Sequence, residues 1–199
     1  MTLGGIRIAT TTLAVLAAAA LSGCGGTGAS TGTTVLSSVE PSTVSLRSSA
    51  VHGSTLPALY TCDGRDISPP LSWGALPSGV KEVALFVLGV RRGKAGRPVA
   101  SIEWALAGVK PQLQGLRAGD VPPGAFALAA SDGSRRYSVC PASGQTERYT
   151  FALYAMPRGV RASPALAGTA LLLNLTQSGV PQNEAPASGT FSVTYKRRR

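Results

Sequence analysis

Two glutamates stand beside aromatic residues in a way that could support acid–base chemistry. Glu103 directly precedes Trp104, and Glu147 lies two residues before Tyr149. A pair of carboxyl groups can act as general acid and general base in hydrolysis when a cleft holds them around a substrate. Neither glutamate belongs to a catalytic motif, and the single histidine, His52, completes no Ser–His–Asp arrangement. We therefore expect a protein that is not an enzyme, and a hydrolase using Glu103 and Glu147 is the alternative.

The N-terminal segment predicts export and lipid attachment. An apolar, alanine-rich run extends from Ile8 to Leu21, and Ser22-Gly23-Cys24 follows it. Residues 1–23 therefore predict a secretory signal peptide. The end of the run resembles the site at which bacterial lipoprotein precursors receive a diacylglyceryl group on cysteine, so Cys24 is the expected lipidation site. An ordinary signal peptide or an uncleaved anchor helix is the alternative, but the run is short for a membrane span of about 20 residues.

The sequence after Cys24 predicts a tether followed by one domain. Residues 24–43 consist almost entirely of Gly, Ser, Thr and Ala, with Glu40 as the only charge, which is typical of a flexible linker. Residues 44–199 are long enough for a single domain of about 155 residues. This organisation places a domain on the extracytoplasmic face of the cell membrane, held there by a lipid anchor.

Short apolar runs within the domain favour β-structure. Val83–Leu88 is continuously apolar, as in a strand buried on both faces, whereas Thr150–Tyr154 and Thr190–Tyr195 alternate, as in half-buried strands. Ile102–Ala107 and Ala125–Ala129 are weaker strand candidates. Gly and Pro interrupt most other segments, so we expect a mainly β fold.

One helix is predicted late in the chain. Ser163-Pro164 has the pattern of an N-cap followed by proline at the first helical position. The Leu- and Ala-rich run that follows continues to Gln177, and Gly179 and Pro181 end it.

Two segments identify a family resemblance. Tyr60–Trp73 reads YTCDGRDISPPLSW, and Cys140–Ala155 reads CPASGQTERYTFALYA. Both resemble the phosphatidylethanolamine-binding protein family, whose members are also called Raf kinase inhibitor-like proteins, in its bacterial branch. The resemblance extends from about Ser45 to Arg197 and implies an antiparallel β-sandwich with a C-terminal helix beside it.

The resemblance also implies a small anion-accepting cleft, but several of its positions have changed. The family has an Asp-Pro-Asp-x-Pro turn, a His before a Trp and a His before Arg-Tyr. Here the turn begins at Gly89, and the two His positions hold Glu103 and Glu147. A second proline that the family has after Pro141 is Ala142. The cleft positions carried over by resemblance are Gly89, Arg91, Glu103, Trp104, Pro141, Glu147 and Tyr149.

The substitutions leave two outcomes open for the cleft. Carboxylates repel phosphate, so a phosphate pocket is not expected. Either Arg91 or Arg92 turns inward and neutralises a glutamate, which fills the cleft with ion pairs, or the cleft persists and selects a cationic or hydroxyl-rich ligand. We favour the first outcome, because flexible arginines stand next to the cleft.

Two further cysteines, Cys62 and Cys140, lie in the two family-like segments, which by resemblance occupy the same end of the fold. An even pair in an exported chain favours a disulfide, which would close a loop of about 80 residues worth roughly 4 kcal/mol. Two buried free thiols are the alternative. No metal site or cofactor is expected, because two cysteines and the distant His52 do not form a zinc site.

The charge balance suggests a negatively charged partner. The chain has 19 Lys and Arg against 9 Asp and Glu, a net charge of +10. No basic helix or aromatic-interleaved patch predicts nucleic-acid binding. Anionic lipid head groups or wall polymers are candidate partners for Lys196-Arg197-Arg198-Arg199, although a solvated tail is the favoured interpretation. The sequence thus predicts a lipid-anchored, non-enzymatic binding or regulatory module whose small-molecule ligand is unknown.

Overall fold

A computed structural model describes residues 42–92, 94–156, 165–176 and 187–199. The predicted signal peptide, the lipidation site at Cys24 and nearly all of the linker lie outside these ranges. The elements in the described ranges are, in chain order, β1 (Leu46–Arg47), β2 (Leu71–Trp73), β3 (Glu82–Arg92), β4 (Pro98–Val109), β5 (Gly115–Leu116), β6 (Phe126–Leu128), β7 (Thr146–Met156), α1 (Gly168–Thr176) and β8 (Ala187–Lys196).

The larger sheet has five antiparallel strands in the order β6-β4-β3-β7-β8. Strand β3 lies at its centre, and residues Val83–Val87 are at most 1 % exposed. This confirms the prediction of a strand buried on both faces. The alternation predicted for Thr190–Tyr195 is also found, because Val193 and Tyr195 are buried while Ser192 is exposed at the sheet edge.

A different layer covers each face of this sheet. The small sheet, with strand order β1-β2-β5, packs Leu71 and Trp73 onto one face, and Leu171 of α1 packs onto the other. The mainly β sandwich with a late helix is therefore confirmed. The alternation at Thr150–Tyr154 predicts one half-buried face, and this is wrong on the sheet face that α1 covers. Ala152 is buried there, in the core cluster that also contains Leu171.

The helix begins later than predicted. Residues 165–167 are not helical, because Ala167 forms a parallel bridge with Ala129 and the Gly168 N–H donates to the Ala129 carbonyl at 2.8 Å. Helix α1 therefore starts at Gly168, where a Cβ would lie 2.9 Å from the Cβ of Ala105. The predicted cap at Ser163-Pro164 and the stop at Gly179 and Pro181 lie outside the described residues. In the ranges described, no helix is long and apolar enough to cross a membrane.

Candidate functional site

A β-bulge in β4 sets the direction of the Glu103 side chain. Val87 of β3 pairs with Trp104, and the next residue, Leu88, pairs with Ile102. Glu103 is the extra residue, so it has no partner in the β3–β4 ladder. Two residues opposite one re-aim the side chains at a bulge. Consequently Glu103 reaches across to Gly89, while Trp104 packs in the core between the sheets.

Gly89 provides the space that the Glu103 carboxyl group fills. A Cβ on residue 89 would lie 2.5 Å from Glu103 Oε1 and 3.2 Å from its Cδ. The Ser101 hydroxyl, which belongs to the residue paired with Gly89, donates a hydrogen bond to the same Oε1. The bulge, the glycine and the serine together hold a carboxylate over the central strand.

A second carboxylate lies on the other side of Tyr149. Gly89 pairs with Tyr149 of β7, and the Tyr149 hydroxyl donates to Glu147 Oε2 at 2.9 Å. The Tyr149 side chain is fully buried. Burial is the main cause of the raised pKa of the Tyr149 phenol. The hydrogen bond to Glu147 and the negative charges of Glu147 and Glu103 raise this pKa further. The phenol therefore stays protonated, and its hydrogen is donated to Glu147.

The remaining cleft positions have different surroundings. Trp104 is buried and its ring meets the ring of Tyr137 edge-on, with centroids 5.9 Å apart. Pro141 is buried, and its carbonyl accepts a hydrogen bond from Arg197 at 3.2 Å. Arg91 pairs with Val99 in the β3–β4 hairpin, but its side chain lies outside the described residues. The structure therefore brings Gly89, Glu103, Glu147 and Tyr149 together, and we call these four residues the carboxylate cluster.

The family model for phosphatidylethanolamine-binding protein matches residues 47–191 of the chain. The chain belongs to this family. It is also 29% identical over 210 residues to Putative lipoprotein LppC of Mycobacterium tuberculosis (strain ATCC 25618 / H37Rv), an alignment that covers 96% of this chain and 98% of that protein. The relative's name refers to a lipoprotein, as the sequence predicts for this chain.

Two crystal structures of phosphatidylethanolamine-binding protein family members share the fold. The homologue CT736 of Chlamydia trachomatis has a TM-score of 0.64 and 24% identity, and covers 78% of this chain and 98% of its own. YbcL of E. coli has a TM-score of 0.62 and 18% identity, with 78% and 99% covered. At these identities the likeness concerns the fold alone.

Relative to the family pattern, a carboxylate is supplied from a different strand. The family's turn begins with Asp at the position that Gly89 occupies on β3. In this chain Glu103, on the neighbouring strand β4, places its carboxyl group in the space beside Gly89. By the resemblance, a carboxyl group thus lies beside β3 here as well, and a glutamate at position 103 stands where the family has histidine.

The disulfide predicted for this family member is present. Cys62 and Cys140 are bonded, with their Cα atoms 5.2 Å apart and a sequence separation of 78. The Cys62 N–H also donates to the Val139 carbonyl at 3.2 Å. The two family-like segments are thus joined at one end of the fold, as the resemblance implies.

Next to the disulfide lies a residue that sequence reasoning missed. The Asp63 carboxylate accepts from the Tyr195 hydroxyl at 2.6 Å and from the Arg198 N–H at 3.1 Å, and Arg197 Nε lies 3.6 Å away. These groups lower the pKa of Asp63, the Tyr195 hydrogen bond most of all. We call this arrangement the C-terminal clasp. Because Asp63 and Tyr195 are 132 positions apart in the sequence, no local pattern could have indicated the clasp.

The clasp fixes the backbone of the basic C-terminal segment. The Arg197 N–H donates to the Gln145 carbonyl at 3.0 Å, and the Ser143 hydroxyl donates to the Arg198 carbonyl at 3.4 Å. The side chain of Arg199 packs against Gly144. The segment interpreted as a solvated tail from the sequence is therefore held along its backbone.

A metal-ligand cluster and a cleft shared by both carboxylates are the features that metal chemistry or hydrolysis would use. In this part of the chain, no three His, Cys, Asp or Glu side chains come together as metal ligands would. A surface cavity of about 410 Å³ is lined by Glu147, Arg148, Val90 and Pro98 among others. Glu103 is not among the described residues that line it, so this cavity does not present both carboxylates to one substrate.

Proposed function

We propose that the protein is a lipid-anchored binding module of the phosphatidylethanolamine-binding protein family, with no catalytic role, whose cleft is not adapted to phosphate. The lipoprotein-like Cys24, the Gly/Ser/Thr linker and the relative named as a lipoprotein support the anchor. The carboxylate cluster supports the change of ligand. The domain would face outward from the cell membrane, at the length of its tether.

The hydrogen bond from Tyr149 to Glu147 carries this proposal. A phosphate group offers only acceptors and needs donors around it. The phenol O–H of the carboxylate cluster, that of Tyr149, already donates a hydrogen bond to Glu147 at 2.9 Å. The negative charges of Glu147 and Glu103, which raise the pKa of that phenol, would also repel a phosphate. The chemistry of the cluster favours a cationic or hydroxyl-rich ligand over an anionic one.

Hydrolysis is the weaker candidate. A pair of catalytic carboxylates must flank one substrate in a shared open cleft. Glu147 lines an open cavity that does not include Glu103, and Glu103 is directed to the space beside Gly89. The geometry therefore supports binding more than acid–base catalysis.

Calorimetry with phosphoethanolamine and ethanolamine tests the ligand preference. We expect no binding of phosphoethanolamine at the carboxylate cluster, since its phosphate meets carboxylates there. Glu147→Gln is the matched variant, because it removes a charge and keeps an acceptor for the Tyr149 hydroxyl. Saturable micromolar binding of phosphoethanolamine that is lost in Arg91→Ala would contradict the proposal and assign phosphate binding to the family cleft.

Metabolic labelling with fatty acid tests the anchor. We expect the wild-type protein to incorporate label and to sediment with membranes. The Cys24→Ala variant should incorporate none, because thioether formation requires the cysteine sulfur, and it should stay unprocessed or reach the medium. Equal labelling of the two proteins would contradict lipidation at Cys24.

A further inference from the structure

A second cleft has a lining different from the carboxylate cluster and carries more arginines than aspartates. It has a volume of about 300 Å³, and none of the four cluster residues is among its lining. Three arginines from two separate segments, Arg65 and the pair Arg135 and Arg136, converge on it. We call it the arginine cleft; the other lining residues that matter here are Ser68, Trp104 and Tyr137.

Asp66, one of the two aspartates at this cleft, forms hydrogen bonds that join two loops. Asp66 accepts from the Ser138 hydroxyl at 3.1 Å with one oxygen and from the Val139 N–H at 3.3 Å with the other. It therefore joins the segment of Arg65 to the segment of Arg136. The ion pair found among the described residues joins Arg197 to Asp63, so none of the three cleft arginines is held in an ion pair there.

The arginines stand over a preformed polar and aromatic floor. Arg135 is positioned by a hydrogen bond that its Nη1 donates to the Ala127 carbonyl at 3.0 Å. Ser68 is only 3 % exposed, and its hydroxyl accepts from the Gly119 N–H at 3.2 Å. In the described part of the chain no acceptor takes the Ser68 hydrogen, so that hydrogen can be donated into the cleft.

The rest of the floor is apolar. The rings of Trp104 and Tyr137 pack edge to face, and the Tyr137 hydroxyl is directed away to the Tyr60 carbonyl at 3.0 Å. Val121, which is 51 % exposed, also lines the cleft. Because Trp104 and Tyr137 are buried, a ligand with an apolar group would cover mainly the exposed surface of Val121 and Ile67, and covering apolar surface favours binding.

We propose that the arginine cleft binds a small organic oxyanion, a carboxylate or a phosphate monoester, carried on a flat apolar group. Planar guanidinium groups recognise both oxyanions through paired N–H donors, and the Ser68 hydroxyl adds a donor from below. Asp120 is exposed and also lines the cleft. Its carboxylate repels the anion and lowers the affinity of the cleft for it. This anion site goes beyond the proposed function, which concerns the carboxylate cluster and its preference against anions.

Calorimetry on the purified full-length protein tests the proposal with three probes that share one ring: phenyl phosphate, benzoate and benzyl alcohol. We expect saturable binding of at least one anion and none of the neutral alcohol. Arg65→Gln and Arg136→Gln should each weaken that anion about tenfold, the loss expected for a charge-assisted hydrogen bond. Asp120→Asn should strengthen it. Arg47→Gln, which removes an exposed arginine from β1 instead, should leave binding unchanged.

The outcomes separate the two sites. Preference for phenyl phosphate or for benzoate identifies the oxyanion, and either result supports the proposal. Absence of binding by both anions, or binding that persists in Arg65→Gln and Arg136→Gln, overturns it, because circular dichroism can verify that these exposed substitutions leave the fold intact. If phosphoethanolamine binds, loss in Arg136→Gln assigns it to the arginine cleft, and loss in Arg91→Ala assigns it to the family cleft.

Discussion

The carboxylate cluster and the C-terminal clasp each contain a tyrosine hydroxyl that donates to a carboxylate. The distance is 2.9 Å from Tyr149 to Glu147 and 2.6 Å from Tyr195 to Asp63. Around Tyr149 a second carboxylate, that of Glu103, adds negative charge to a buried site. Around Tyr195 the same kind of hydrogen bond is completed by a backbone N–H and by Arg197.

This difference decides what each pair contributes. In the clasp, donors and a cation lower the pKa of Asp63 and balance its charge, so the group serves to join distant segments. In the carboxylate cluster, burial raises the pKa of Tyr149 most, and the hydrogen bond to Glu147 and the charges of Glu147 and Glu103 raise this pKa further. The same type of hydrogen bond therefore joins distant segments in the clasp, whereas in the carboxylate cluster it lies among groups of like charge.

The largest expected effect concerns the end of the fold that holds the clasp. Replacing Cys62 and Cys140 together by serine should lower the free energy of unfolding by about 4 kcal/mol, because the unfolded chain loses a long cross-linked loop. Denaturant unfolding of the two proteins measures this, and reducing the wild-type protein should give the same loss. Equal midpoints for the oxidised and the double-serine protein would show that the bond is structurally neutral.

A steric test addresses the carboxylate cluster. Gly89→Ala would place a Cβ 2.5 Å from Glu103 Oε1, so we expect a loss of about 1–3 kcal/mol from overpacking. In a Glu103→Ala background the added methyl group meets no carboxyl group, and most of that loss should disappear. Unfolding measurements on the four proteins give the coupling energy; a loss that is the same in both backgrounds would place the Glu103 carboxyl group elsewhere.

Matched removal of the two hydroxyls compares the regions directly. Tyr149→Phe should cost about 1–2 kcal/mol in unfolding free energy, because Glu147 loses its donor beside a buried ring. Tyr195→Phe should cost less, since Asp63 keeps the Arg198 N–H and Arg197 as partners. Thermal or denaturant unfolding would check the order, and a larger loss for Tyr195→Phe would reverse our account of the two pairs.

The smallest expected effect is the response of the clasp to acid. The folded-state pKa of Asp63 lies below the ordinary value of 3.8, chiefly because of the Tyr195 hydrogen bond. Its stabilisation is therefore complete above that value and is lost as the pH falls through the lowered pKa. Asp63→Asn should flatten the stability profile in this acidic range, and Asp120→Asn is the control. Superimposable profiles for wild type and Asp63→Asn would refute this role.

Features carried by contiguous residues could be predicted from the sequence. The apolar run at Val83–Leu88 predicted the central strand, and the family-like segments predicted the sandwich and the disulfide. The start of α1 was misplaced, because the pairing of Ala167 with Ala129 overrides the helix pattern. Strands of two or three residues, such as β1 and β5, have no pattern long enough to recognise.

The candidate sites depended on information that a linear pattern does not contain. The direction of Glu103 follows from the bulge, which exists only in relation to the register of β3. The partners of Asp63 come from the far end of the chain, and the arginine cleft combines Arg65 with Arg135 and Arg136, which are about seventy residues away. Such sites appear only when the packing of distant loops is known.

The position of β8 has a consequence for how the chain is made. Synthesis proceeds from the N-terminus, so β8 and the clasp residues Tyr195 and Arg197 emerge after β7. Until then, the long strand β7 is an open sheet edge with unpaired N–H and C=O groups, a template for aggregation. β8 closes that edge over ten paired positions, and the clasp then secures it. A chain truncated before β8 would therefore leave the backbone N–H and C=O groups along the edge of β7 unpaired. A quality-control protease could recognise such an edge.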